Sequence, residues 1–447
     1  MASLCRIPLP YHRDSSCYFA AIKHLPLPVY LDSAAAHSER GRWDIICADP
    51  EELISCNTYS YDSNTRNNTK LDQALKRIEQ SYLDAVDLPF SGGAVGYLSY
   101  DFGEQAQAGL DATSSATPLF KIGIYPWLVI VDHHDKRSEL VAQPHVAGEY
   151  VEHLRSLLAL GKSAQKSGNF RLNSPFRSSL NREEYTTAFE KVKTYINAGD
   201  CYQINLTRQF TANYQGDPWL AYLRLREVAA APFSAYMDLG SSQFLCLSPE
   251  RLLAAQTRKL QTQPIKGTAA RSSDPAEDLA LATALQASTK NRAENIMIVD
   301  LLRNDFSKSC QAESVVTEAL CELQSFRTVH HLVSTVTGLL REDRSEFSAL
   351  LDCFPGGSIT GAPKQRAMEI IREIEPHRRS LYCGSIFYLG ANGKMDSNIA
   401  IRSFVCENQE IKGWAGGGIV ADSELDEEYI ETETKISKLL DALADLE

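Results

Sequence analysis

In "QTQPIKGTAA" (residues 261–270), Lys266 stands between the apolar pair Pro264–Ile265 and the Gly267–Thr268 step. Such a frame suits a strand end that meets the core, with Gly267 permitting a sharp exit. In a partly dry pocket the lysine is available as a nucleophile or base; otherwise it snorkels to solvent, as lysines at strand ends do. Three carboxylates, Glu294, Glu428 and Glu431, could hold a hard cation such as Mg2+, which prefers carboxylate oxygens and keeps room for water and an anionic ligand. The competing reading is an acidic solvated face with a Glu431–Lys435 pair. The stretch "FPGGSITGAPK" (354–364) could wrap backbone N–H groups and the hydroxyls of Ser358 and Thr360 around an anion. It is not a P-loop, because Ala-Pro separates Gly361 from the lysine. In "WAGGGIVADS", Gly416, Gly417 and Gly418 allow close backbone approach to a carboxylate, or mark a bulge. His330 and His331 precede an apolar run, so one of them faces inward if this is a strand, as a satisfied core histidine. Arg402 lies among alternating apolar residues, where its guanidinium would meet a buried acid or a substrate carboxylate.

The elements that would position these groups are legible in outline. In "NREEYTTAFEKVKTYINAGD", Asn181 can cap and Glu184 reach back, with Tyr185, Phe189, Val192 and Ile196 on one stripe and Gly199 ending the helix. "CYQINLTRQF" alternates, sending Tyr202, Ile204 and Leu206 to one face and Gln203, Asn205 and Thr207 to the other. "FLCLSPERLLAAQTRKLQTQPIKG" reads as two strands around a polar turn at Thr257–Lys259, and a hairpin symmetric about Arg258 makes Glu250 face Lys266. Asp274, Pro275 and Glu277 start a helix. The next helix, "NRAENIMIVDLLRND", puts Ile296, Val299 and Leu302 on one stripe, and Glu294 beside Met297, Ile298 and Leu301 on the adjoining one. Near the C-terminus Glu428, Glu431 and Lys435 stack on one helix face.

The chain has 447 residues, 44% of them hydrophobic, enough for a large core. A formal charge of −12 disfavours nucleic acid or an anionic membrane as partner. The opening residues show no signal pattern and no apolar run approaches the roughly 20 residues of a membrane helix, so a cytoplasmic location is expected. Eleven scattered cysteines without a C-x-x-C pair suit reduced thiols. The polar stretch 161–181 reads as a linker between a sheet-rich N-terminal region (1–165) and a catalytic core (180–447).

In their order, "GDCYQINL", "LSPERL", "PIKGT", "NRAENIMIVDLLRND", "VHHLVS", "FPGGSITGAPKQRAME", "YCGSI", "NIAIRS", "AGGGIVADS" and "EEYIETETK" resemble the blocks of the chorismate-utilising enzymes, from about residue 180 to the end. The resemblance implies an α/β (α+β) fold of large mixed, mostly antiparallel sheets flanked by helices, and a Mg2+ ion holding a carboxylate of chorismate. It implies that Glu294 and Glu428 bind the metal, with Glu431 a further acidic position. Ser358, Tyr382, Arg402, Gly416, Gly417, Gly418 and Lys435 would contact chorismate, His331 would lie near its ring, and Glu250 would be the general acid that protonates the departing C4 hydroxyl. Asn291 replaces an acidic residue of several relatives, which implies less acidic surroundings for the metal.

Members differ in what attacks C2. Isochorismate and salicylate synthases carry a lysine where this chain has Gln203, and an amide cannot take a proton from water. Anthranilate synthases share the glutamine but have alanine where Lys266 stands. "PIKGT" resembles the branch that makes 4-amino-4-deoxychorismate for p-aminobenzoate and folate. There Lys266 would attack C2 and ammonia would then attack C4, expelling the lysine. The alternatives are an anthranilate synthase large subunit and a binding protein that has lost the chemistry. With no glutaminase block around Cys201 or Cys383, the ammonia is expected from a separate glutamine amidotransferase subunit. "LDSAAAHSERGRWDIICADP" resembles a segment where relatives form an amino-acid pocket for tryptophan; Ser33 would line that pocket or a turn.

Overall fold

The computed structural model describes residues 3–35, 37, 41–57, 69–110, 117–159, 168–325, 329–391 and 393–446. Its strands form two sheets, of 13 and 10 strands, and every described pairing is antiparallel. Period-two alternation assigns side chains to two cores. In the larger sheet Val29, Ile45, Leu128 and Phe244 point toward the smaller sheet, where they meet Val95, Tyr97, Ile122 and Leu253. Their sequence neighbours Tyr30, Ile46, Val129 and Leu245 point the other way, under the helices Ser16–Ile22, Gly148–Ala159, Pro218–Ala229 and Leu425–Ala444. Each fully buried Leu, Ile or Phe contributes roughly 1.5–3 kcal/mol to holding these layers together. Tyr97 meets Phe244 edge-on across the inter-sheet core, with ring centroids 4.7 Å apart.

Both sheets draw on both parts of the sequence. Val29–Asp32 pairs with Phe233–Asp238 in the larger, and Gly93–Leu98 with Ser385–Gly390 in the smaller. Of the polar stretch read as a linker, residues 161–167 lie outside the described residues. The rest is tied down: Phe170–Leu172 and Arg177–Ser178 are short strands on Gln203–Gly216. The backbone of Gln203–Gly216 needs partners on both sides, and these segments supply part of one side.

Several local expectations hold. Asn181 accepts from the backbone N–H of Glu183 and Glu184, while Glu184 accepts from the Asn181 N–H, so the helix Arg182–Asn197 starts in a capping box. Asp274 caps Pro275–Ala287 through the N–H groups of Ala276 and Glu277. Two others are corrected. On the helix Thr289–Ser307 the buried stripe is Asn295, Ile298, Val299, Leu302 and Phe306, whereas Ile296 is 48% exposed. Asn295 is buried because its Oδ1 accepts from the Ser334 hydroxyl and its Nδ2 donates to the Leu332 carbonyl. The hairpin register is also one residue off: Gln256 faces Lys259 and Ala254 faces Gln261. The turn is a two-residue one, with Thr257 and Arg258 both left-handed at φ 49° and 64°.

Candidate active site

Glu250 and Lys266 are therefore not a cross-strand pair. Glu250 lies just before the strand Arg251–Gln256, and Lys266 belongs to Ile265–Ala270, which pairs with Val329–Leu339. That strand does not end at Lys266. Its register shifts between Ile265 and Thr268, and Gly267 takes φ +93°, so the lysine sits on a bulge that only glycine accommodates without strain. A side chain at Gly267 would also meet Asn291 at 3.0 Å.

The two groups meet at Ser358. Its hydroxyl donates to Glu250 Oε1 at 3.1 Å, and its carbonyl lies 3.4 Å from Lys266 Nζ. Glu250 is 7% exposed, and burial pushes its carboxyl above the usual range; Lys266, the Ser358 hydroxyl and Lys435 pull it part of the way back. Ser358 is on the short turn Gly357–Ile359, and Gly361–Ala362 pairs with the start of Gln203–Gly216. Thr360, expected to face an anion, turns inward and donates to the Gly356 carbonyl at 3.0 Å. Lys364 completes no phosphate cradle, because its ammonium lies 2.6 Å from Asp305 and donates to the Cys353 carbonyl.

A second group forms where the C-terminal helix Leu425–Ala444 crosses Glu410–Ile419. Lys435 pairs with Glu431 and donates to the Gly416 carbonyl at 2.9 Å. Glu428, 3% exposed, accepts the Ser423 hydroxyl at 2.6 Å through Oε1, while its Oε2 is buried without a hydrogen-bond partner. Gly417 makes this approach possible: a Cβ there would stand 2.7 Å from Glu428 Oε2. On the opposite face, a Cβ at Gly418 would meet the Gln203 amide at 2.7 Å. Gln203 is buried with Asn205 and Thr207, so both faces of that strand are covered; Tyr202, which precedes it, is exposed.

The groups are linked electrostatically. Burial raises Glu294, with Glu431 adding to the rise and Lys266, Lys290 and Lys435 opposing it. Burial also raises Glu428; the Ser423 hydrogen bond opposes this and Glu431 adds to it. Two raised carboxylates and an orphaned carboxylate oxygen against a bare backbone suit a hard divalent cation. Among the described residues no three acidic, histidine or cysteine side chains already form a ligand set, so a cation here would take its other ligands from water or an anionic substrate. Ser423 and Lys290 were not evident in the sequence; the "ADS" that ends the glycine block was the signal for the first.

The remaining residues are more dispersed. His330 is the satisfied core histidine, with its ring nitrogens 2.8 Å from Ser325 Oγ and 3.0 Å from Asp278. His331 faces the other way, its Nδ1 2.8 Å from Thr268 Oγ1 on the Lys266 strand. Tyr382 is buried and stacks on Trp414, centroids 5.9 Å apart. Arg402 meets no buried acid among the described residues. The residue is exposed to solvent while surrounding protein lowers the guanidinium pKa, and the neighbouring Ser403 hydroxyl donates to the Ile401 carbonyl at 3.1 Å. Ser33 donates through its N–H and hydroxyl to Asp44, at 2.8 and 2.6 Å. Ala36 and residues 38–40 of that segment lie outside the described residues. A separate cavity of about 520 Å³, lined by Trp43, Arg251, Tyr388, Lys394 and Asp396 among others, contains none of the candidate site residues, and its Arg251 and Asp396 are already paired.

Residues 28–441 match the chorismate binding enzyme family. The chain is 40% identical to aminodeoxychorismate synthase component 1 of Escherichia coli (strain K12), over 98% of each chain. It is 34% identical to anthranilate synthase component 1 of Geobacillus stearothermophilus, over 80% of this chain and 75% of the relative. The crystal structure of anthranilate synthase component I from Streptococcus pneumoniae TIGR4 superposes with a TM-score of 0.78 at 30% identity, over 90% of this chain and 92% of that one. On the match over residues 28–441 and the near full-length identity, the chain belongs to the chorismate-binding enzyme family.

Proposed function

We propose that this chain is the chorismate-converting component of an aminodeoxychorismate synthase, making 4-amino-4-deoxychorismate from chorismate and ammonia for p-aminobenzoate and folate synthesis. The observation that carries the reading is the convergence of Lys266 and Glu250 on Ser358. A nucleophile and a buried, readily protonated acid then share one end of the site. Lys266 attacks C2 as Glu250 gives its proton to the C4 hydroxyl, which leaves as water; ammonia adds at C4 and the C2–nitrogen bond to Lys266 breaks. Gln203 offers no base for water attack, and Lys266 fills the space that ammonia would need at C2 for anthranilate. The higher identity and fuller coverage of the aminodeoxychorismate relative support this choice over anthranilate synthesis.

Mg2+ would be held by Glu294 and Glu428, with Glu431 nearby, and would supply a positive charge for a substrate carboxylate. Lys435, Arg402 and the bare backbone at Gly416–Gly418 would orient the same substrate. Glu428→Gln is expected to weaken Mg2+ binding roughly 10–100-fold and to lower activity with it. Calorimetric metal titration of the two proteins checks this, and an unaltered titration removes Glu428 from the ligand set.

Ammonia would come from a separate glutamine amidotransferase subunit. Cys201 and Cys383 are buried, and burial raises both thiols, Cys383 to about 12, which suits neither to glutamine attack. Eleven free cysteines support a reducing, cytoplasmic setting. Among the described residues no helix is long and apolar enough to cross a membrane.

The test is mass-resolved product analysis after mixing the pure chain with chorismate, Mg2+ and an ammonium salt. A product with nitrogen at C4 and the enolpyruvyl group retained is expected. Anthranilate or isochorismate instead would overturn the assignment of Lys266.

A further inference from the structure

The turn that carries Ser358 is tied to the Gln203 strand by the pairing of Gly361–Ala362 and by the Asn205 N–H on the Thr360 carbonyl, and it is braced from behind by a guanidinium. Arg379 is almost wholly buried. Its Nη1 donates to the Ile359 carbonyl at 2.9 Å, next to Ser358, and its Nη2 donates to the Asn205 carbonyl at 2.6 Å, on the strand that begins with Gln203. Nε and Nη2 also donate to the two oxygens of Glu375, at 2.9 and 2.7 Å. Glu375 in turn accepts the N–H and the hydroxyl of Thr207 on that same strand, at 2.9 and 2.7 Å. The guanidinium lies over the Tyr100 ring at 4.6 Å, and the Arg379 carbonyl accepts from the Tyr382 N–H at 2.8 Å. One planar fork therefore joins two separate segments, the Ser358 turn and the Gln203 strand, while the Arg379 main chain carries on toward Tyr382. A planar, bidentate group can do this in a way a single ammonium cannot.

We propose that Arg379, gripped by Glu375, is a positioning residue that sets the Ser358 turn against the Gln203 strand and so maintains the hydrogen bond from Ser358 to Glu250. The inference rests on the reading of Glu250 as the proton donor. The groups facing Glu250 are Ser358 on the turn, Lys266 on the bulged strand and Lys435 on the C-terminal helix; those facing Arg379 are Glu375, Tyr100 and Cys383. Only Ser358 lies on the segment that Arg379 holds. If the turn drifts, Glu250 loses one of the interactions that oppose its upward shift, while both lysines stay where they are. Glu250 then keeps its proton to higher pH, and the alkaline limb of turnover moves upward.

The experiment compares pH profiles of chorismate consumption, with Mg2+ and saturating ammonium, for the wild type, Ser358→Ala, Arg379→Lys and the double variant. Arg379→Lys keeps the positive charge beside Glu375 and loses the fork. Expected are a kcat lower by about 10-fold and an alkaline limb raised by about 0.5 pH unit or more, as in Ser358→Ala, with no further rise in the double variant. Glu375→Gln, which loosens the grip without changing the guanidinium, carries the same test if Arg379→Lys does not fold, with a smaller shift in the same direction. A limb that stays in place in a folded variant, or shifts that add in the double variant, overturns the inference and leaves Arg379 a purely structural residue. A wild type that consumes no chorismate would instead overturn the functional reading beneath it.

Discussion

Lys266→Ala is expected to lower aminodeoxychorismate formation by roughly 10²-fold or more, the size of loss that follows removal of a group touching the reacting atoms. The residue sits on a bulge, half-buried, and among the described residues its one side-chain hydrogen bond is the long one to the Ser358 carbonyl, so the fold should survive its truncation. What turnover remains is expected to leak toward anthranilate, because the space beside C2 is opened to ammonia. Loss of the ammonium also removes a charge that holds Glu250 and Glu294 down, so both carboxyls should rise further. Quantifying both products by mass at fixed ammonium checks the claim. Unchanged aminodeoxychorismate turnover would remove the covalent role.

Glu250→Gln should be as damaging to activity and the reverse for stability. The amide can still accept the Ser358 hydroxyl, but it cannot deliver a proton, and kcat should fall about 10²–10⁴-fold with little change in KM. The folded-state pKa of Glu250 is raised above that of the unfolded chain, so this group's contribution favours folding at low pH and is lost as pH rises from the unfolded pKa through the folded one. Above that window the wild type holds a costly buried anion that the amide does not. Tm should therefore rise in the variant at neutral pH, and the gain should disappear in acid. An inactive variant with a lower Tm at neutral pH would mean that Glu250 supports the fold and not the reaction.

How far these residues were visible in the sequence depends on what sets each one. Helix starts were legible because Asn181 and Asp274 act over three residues of chain. The inward and outward histidines were legible as a pair, although only the strand's orientation decided that His330 is the buried one. The hairpin register was missed because Thr257 and Arg258, neither of them Gly, Asn or Asp, occupy left-handed positions; nothing local announces a two-residue turn there. Asn295 was missed because its burial depends on Ser334, a residue of a strand far along the chain. The exposed Ile296 misled for the same reason, since the face a helix buries is chosen by what packs on it. Of the two partners expected for Arg402, a buried acid or a substrate carboxylate, the acid is absent among the described residues, because apolar neighbours signal enclosure without saying which partner fills it.

The interleaving of the two sheets has a consequence for how the chain is made. Val29–Asp32 waits for a partner some 200 residues downstream, and Gly93–Leu98 for one nearly 300 downstream. Such long-range pairings incur loop-closure entropy before any contact rewards it. On the ribosome the first third of the chain emerges with strand edges open and apolar faces uncovered, and its sheets close only when the last hundred residues arrive. Folding should accordingly be slow and late, with nascent chains dependent on chaperones, and fragments ending near residue 165 should aggregate.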